Sequence, residues 1–258
     1  MIGLKYGAYV LQNPPYNWVH ATDVYSSPES AVQAETLAEA DGALVVQQKY
    51  RPKSFSMEGI IRRESRAELK AAIDEFKLAM AVKNQAFDVD EVGDGDIRRY
   101  LSYATNVIVA RSKRNLSAAY SVAFICPDGV AWSVSSTALV SPTGITTSSL
   151  GIPITAGGTY KVEPMITLTM NTVTGGTGKT VTISNGTTLR GISVTRNWAT
   201  GDVLEIDSTK MSVYVNNQPV DFTGQFPKWD VGAGELSYLD DLTTRDATLS
   251  ASYTKRWL

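Results

Sequence analysis

Hydrophobic positions in this chain follow two periods. Leu69, Ile73, Phe76 and Met80 recur at three- and four-residue spacing, with Ala72 and Ala79 completing the stripe. That period belongs to one face of an α-helix. Ser65 precedes the stripe and Glu68 follows it by three residues, a pattern in which each side chain bonds the other's free backbone N–H. The pattern predicts a helix over 65–82 whose stripe is core packing. Glu29–Ala40 carries a weaker helical signal, since Ala, Glu and Leu favour helix but its apolar residues mark no clear face. Elsewhere in the first half the period is two or the run is continuously apolar. Ala43–Val46, Ser54–Ile61, Arg98–Arg111 and Ala118–Ile125 read as strands.

Beyond residue 140 the chain becomes rich in Thr, Gly and Ser, and its apolar runs are short. Ile166, Leu168 and Met170 alternate with Thr167 and Thr169, and Pro164 marks an edge or a strand start. Val181–Ile183, Gly201–Ile206 and Met211–Val215 follow, divided by turn residues such as Asn185-Gly186 and Asn216-Asn217. Ser141–Ser149, small and polar with Pro and Gly, reads as a linker or a long surface connection. The predicted class is α+β, mainly β: a barrel-like domain with one packed helix over 1–140 and a β-sandwich over 141–258. The last strand, 248–258, either completes the sandwich or returns to the first domain.

Composition narrows the function. The 258 residues are 43% hydrophobic and 19% charged, so the chain buries a core. Net charge is −2, and both halves are nearly balanced, which excludes a domain that grips nucleic acid through phosphate charge. One Cys, Cys126, rules out an internal disulfide and fits synthesis in a reducing cytosol. One His, His20, cannot build a multi-histidine metal site. No apolar run is long enough to span a membrane as a helix, and the N-terminus lacks the pattern of a signal peptide.

Three segments imitate chemistry. Gly175–Thr180 ends in Gly-Lys-Thr, but Val173 stands where a phosphate loop needs its first Gly, so a Gly-rich hairpin loop is expected. Asp88–Asp96 opens like a calcium loop, yet Val92 and Arg99 occupy ligand positions, leaving a solvated acidic loop. His20 and Cys126 have no catalytic companions in the sequence. No enzyme, cofactor or metal is predicted. Trp198 lies between Arg196-Asn197 and Thr200-Gly201, a polar setting that makes it the candidate for stacking on a sugar. Trp229 in Phe226-Pro-Lys-Trp is expected to be packed.

Several local patterns, in order, resemble the distal tail protein (Dit) family of bacteriophages with long non-contractile tails. They are Phe55–Ile61 leading into the capped helix, Arg98-Arg-Tyr100, and Tyr120–Asp128 in the first half. Gly201–Asp207, Val213–Asn217 and Phe226–Tyr238 follow in the second. The resemblance implies a virion protein of the phage tail tip, assembled in the host cytoplasm. By the same implication, the first domain forms a homohexameric ring joining the tail-tube protein to the tail hub or baseplate. A galectin-like sandwich would face outward, toward receptor-binding proteins or a host-surface saccharide. DNA would meet the ring only in transit, and the acidic residues Asp88, Asp90, Glu91, Asp94 and Asp96 are candidates to face that channel. The alternative function is a stand-alone carbohydrate-binding sandwich.

Overall fold

A computed structural model describes residues 3–36, 41, 43–90 and 96–258. The chain divides into two compact units, Met1–Val134 with Leu258, and Ser135–Trp257.

The first unit contains β1 (Gly3–Tyr6), β2 (Tyr9–Val10), β3 (Asn17–Thr22), β4 (Ser30–Thr36), β5 (Ala43–Tyr50), β6 (Lys53–Arg62), α1 (Arg66–Ala81), β7 (Gln85–Asp90), β8 (Arg98–Arg111) and β9 (Ser117–Cys126). Antiparallel ladders link β3 to β6, β6 to β9, β9 to β8, β8 to β7, β7 to β1 and β1 to β2. The strand β8 changes partner along its length. Residues 98–102 pair with β7, and residues 103–111 pair with β9. A strand shared in this way turns a corner and lets one core serve two faces.

Alternation in β6 explains which face is buried. Lys53, Phe55, Met57, Gly59 and Ile61 point inward, and the residues between them point to solvent. The helix lays Leu69, Ile73, Phe76 and Met80 over that inner face, as its stripe predicts. Phe55 stacks on Phe124 at 5.0 Å between ring centroids, Phe87 meets both rings at 4.9 Å, and Phe76 packs on Tyr120 at 4.7 Å. Gly59 has no room for a side chain, since a Cβ there would lie 2.3 Å from the Trp18 carbonyl oxygen and 2.4 Å from the Tyr120 hydroxyl.

One expectation fails in this unit. The segment from Glu29 onward is no helix: β4 pairs with β5 from Ser30↔Tyr50 to Thr36↔Ala43, and residues 37–40 lie outside the described residues. The pairing satisfies the backbone that helical propensity would have closed locally, and propensity without a buried face is a weak force.

The second unit takes up β10 (Ala131–Ile145), of which Ala131–Val134 belong to the first, and continues with β11 (Ser149–Ala156), β12 (Met165–Thr174), β13 (Lys179–Asn185), β14 (Gly191–Arg196), β15 (Val203–Asp207), β16 (Ser212–Val215), β17 (Gln218–Pro219), β18 (Thr223–Gly224), β19 (Gly232–Asp240) and β20 (Thr244–Trp257). One sheet runs β11-β19-β13-β14-β18, and the facing one runs β17-β16-β15-β12-β20-β10. Ile152, Ile183, Val194 and Tyr238 of the first sheet share one core with Leu168, Leu204, Val213 and Leu249 of the second, as a sandwich requires. The segment read as a linker, Ser141–Ser149, is strand through Ile145, a core residue, and continues β10 from Leu139 and Val140, which lie in the same core. The final strand is β20, paired along β12 from Thr174↔Thr244 to Met165↔Ser252.

Candidate functional site

The acidic segment begins inside regular structure. Asp88 and Asp90 belong to β7, where the register sets Asp88 opposite Arg99 of β8. Arg99 grips the Asp88 carboxylate with two parallel hydrogen bonds, Nε at 2.7 Å and Nη2 at 2.8 Å. The residue that spoils the calcium-loop pattern is thus the partner of its first carboxylate. Asp96 lies just before β8, and Glu91 and Asp94 fall outside the described residues.

Trp198 does not stand open to a sugar. It is 5% exposed, and its indole N–H donates to the Lys179 carbonyl at 3.0 Å. Its backbone N–H donates to the Gly176 carbonyl at 2.9 Å, so the Gly-rich segment lies directly against it. That segment is no hairpin. It carries the chain from β12 in one sheet to β13 in the other, and the Gly178 N–H is held by Asn197 Oδ1 at 2.8 Å. A loop packed on a buried indole has neither the helix nor the free N–H cradle of a phosphate site. Trp229 is buried as expected, its indole N–H donating to the Glu235 carbonyl at 2.9 Å.

Near Trp198 the sandwich has a hollow of about 590 Å³, lined by polar residues such as Arg196, Asn216 and Asp221 and equally by apolar ones such as Val194, Val215 and Val220. Its wall is fixed by Asp202, whose carboxylate accepts from the Ala199 N–H at 3.0 Å and from Asn216 Nδ2 at 2.8 Å. Among the described residues no aromatic ring lines it.

Of the two reactive residue types weighed in the sequence, Cys126 lies in β9, facing β6. Lys53 pairs across the ladder with Cys126. Burial pushes the Cys126 thiol up to about 12, which leaves it a packed apolar group and not a nucleophile. Lys53 donates to the Val24 carbonyl and, at 3.1 Å, to the Tyr100 hydroxyl. Its pKa falls to about 8 through burial. His20 sits 3.5 Å from Glu58 on the open face of the β3–β6 ladder.

The largest departure from the sequence reading is the β4–β5 hairpin. Its two strands form a sheet by themselves. Val32, Leu44, Val45 and Val46 are all exposed, Leu44 at 60%. The sequence signal was the unbroken run Ala43–Val46, which alternation would have interrupted with polar residues had one face been buried and the other wet.

Comparison with known proteins places this architecture. Residues 157–257 match the family described as siphovirus-type tail component, C-terminal domain. No curated protein matches the chain. The crystal structure of the SPP1 Dit protein, described as a paradigm of the hub adsorption apparatus in phages infecting Gram-positive bacteria, aligns over 100% of both chains with a TM-score of 0.71 and 13% identity. Structures of the phage P2 baseplate in its activated conformation, with calcium or strontium, align with TM-scores of 0.46 and 0.42 at 8% and 7% identity, covering 99% and 98% of this chain and 98% of theirs. Residues 157–257 are thus similar to the C-terminal domain of siphovirus-type tail components, and the chain as a whole has the fold of the SPP1 Dit protein.

Proposed function

We propose that six copies of this protein close a ring that joins the last tail-tube ring to the tail hub or baseplate of a phage with a long non-contractile tail. The observation that carries this reading is the conjunction of the tail-component family over residues 157–257 with a Dit fold over the full length. In this role the protein needs interfaces and no reaction centre. The buried, inert Cys126 and the packed Lys53 suit that role. The second unit points outward and serves as a docking or spacer domain. Burial of Trp198 counts against a stand-alone sugar binder, because aromatic stacking on a pyranose needs an open ring face. DNA crosses the ring in transit, and Asp90 at the end of β7 and Asp96 just before β8 face the channel, where negative charge keeps phosphate from sticking.

Light scattering on the purified protein at high concentration, followed by negative-stain imaging, tests the reading. Six-fold rings with an open centre, or stacked pairs of them, are the expected particles. A strict monomer that never rings, even with tail-tube protein added, would overturn it.

A further inference from the structure

In the second unit the edge of β14 is only partly covered. β18 pairs with it at Ile192↔Gly224 and Ser193↔Thr223, although β14 runs on to Arg196. Thr195 lies beyond the last pair. On its other side it stands opposite Thr180, whose N–H donates to Asp241 Oδ1 at 2.7 Å and whose carbonyl accepts from the Asp241 N–H at 3.3 Å. Thr180 thus turns its backbone away from β14, and antiparallel geometry makes Thr195 turn its own away from β13. The same alternation brings the Gly191 carbonyl to the Gln225 N–H at 2.8 Å. The register would set Asp221 opposite Thr195, but the chain has left the ladder by then, and both residues line the hollow of about 590 Å³ instead. Among the described residues nothing bonds the outward N–H and C=O of Thr195.

These two groups open into a hollow whose wall is already fixed. Asn216 donates to Asp202 Oδ1 at 2.8 Å and accepts from the Val203 N–H at 2.9 Å, and Asn197 is held by the Gly178 N–H at 2.8 Å. Val194, Val215 and Val220 supply the apolar lining. Of the two charged side chains that line the hollow, Arg196 is occupied. Its Nη2 lies 3.8 Å from Asp202, and its guanidinium lies 5.4 Å from the Trp198 ring. Asp221 is exposed and, among the described residues, has no ion-pair or hydrogen-bond partner. The hollow therefore offers one backbone donor, one backbone acceptor, a valine lining and one uncompensated negative charge.

We propose that this hollow takes an extended peptide segment of another protein, which adds to β14 at Thr195 and carries a Lys or Arg for Asp221. An open strand edge is completed by another strand, whose main-chain bonds give affinity and whose alternate side chains give specificity. A residue opposite Thr195 shares its exposed face, and the neighbours of that residue point the other way, with Val194, toward the apolar lining. The fitting segment thus reads apolar, basic, apolar. An anion is disfavoured because Asp202 already holds Arg196, and a saccharide finds no ring to stack on. The volume of about 590 Å³ lies in the range of ligand pockets, about 300–1,000 Å³. With the wall fixed in advance, little of the binding energy is lost to ordering. The inference concerns the second unit alone and does not depend on the ring.

The test titrates the full chain against dye-labelled, amidated peptides Thr-Val-X-Val-Thr, with X as Lys, Arg, Gln or Glu, by fluorescence polarisation. The Lys and Arg peptides should bind in the millimolar range or tighter, the Glu peptide about fivefold more weakly, and Gln between them. Asp221→Asn, with an unchanged melting temperature as its folding control, should bring the four together. Methylating the backbone nitrogen of X removes the N–H that pairs with the Thr195 carbonyl and leaves the protein untouched. It should weaken the Lys peptide about tenfold. Failure of the Lys peptide to bind at several millimolar, or a charge preference that survives in Asp221→Asn, overturns the site. Undiminished binding of the methylated peptide overturns strand addition. Displacement of the Lys peptide by galactose would assign the hollow to a saccharide and overturn the peptide as occupant. Self-association that the Lys peptide reverses would overturn a separate protein as occupant and assign the hollow to a second copy.

Discussion

Lys53 is an ammonium-bearing side chain 2% exposed, within hydrogen-bond reach of one carbonyl and one hydroxyl, with its Nζ 4.5 Å from the centroid of the Tyr100 ring. Burial brings its pKa down to about 8, against about 10.4 in an unfolded chain. Below pH 8 both states hold the proton, and the cost of burying the charge is fully present. Between pH 8 and about 10.4 the native state loses its proton first, so stability rises with pH, by at most about 3 kcal/mol. Cys126 works in the opposite sense, because its raised pKa keeps the thiol protonated in the native state while the unfolded chain ionises above about pH 8.5. The informative quantity is therefore a difference. Urea unfolding of wild type and Lys53→Met across pH 7 to 10.4 should show the wild type gaining on the variant through that window; a constant gap would show that the lysine does not titrate there. The burial of Lys53 and of Trp198 was not legible in the sequence for a shared reason. Polar neighbours along the chain say nothing about what arrives from elsewhere, and Trp198 is closed over by the segment at Gly176–Lys179, some twenty residues earlier.

At the level of elements, legibility followed whether an element's partner was local. The helix was readable because its cap, its stripe and its length all lie within seventeen residues, Ser65 through Ala81. Ser65 Oγ accepts from the Glu68 N–H at 3.2 Å, and Glu68 Oε2 accepts from the Ser65 N–H at 3.2 Å. Ser65→Ala should cost about 1 kcal/mol in urea unfolding, and a loss below a few tenths would mean the packing of the stripe carries the helix start unaided. The long strands β8 and β9 were also readable from alternation. The hairpin was not, because β4 offers Ala and Glu at helical frequency while its strand pairing depends on residues seven to twenty positions away. The linker reading failed similarly. Pro142 and Gly144 announce a loop by composition, yet each sits at an exposed or half-exposed position of a strand whose Leu139, Val140 and Ile145 are buried.

For the whole molecule, that strand decides where the second unit starts. The sequence break suggested a sandwich beginning at residue 141, whereas the compact unit starts at Ser135. Eleven residues of β10, Ser135–Ile145, lie in this unit as the neighbour of β20, and three of them enter the shared core. A fragment of residues 150–257 would lose Leu139, Val140 and Ile145, each worth about 1.5–3 kcal/mol of burial. Their sum is comparable with the whole stability of a small domain, about 5–15 kcal/mol. The shorter fragment would also bare the edge of β20, a 14-residue strand, inviting pairing with another chain. A fragment of residues 135–257 keeps both the core side chains and the covered edge. It should therefore unfold in one cooperative urea transition as a soluble monomer, while the 150–257 fragment aggregates or melts without a transition. Equal stability of the two fragments would mean that β10 serves the first unit and merely lies against the second, and would move the working boundary back to the composition break.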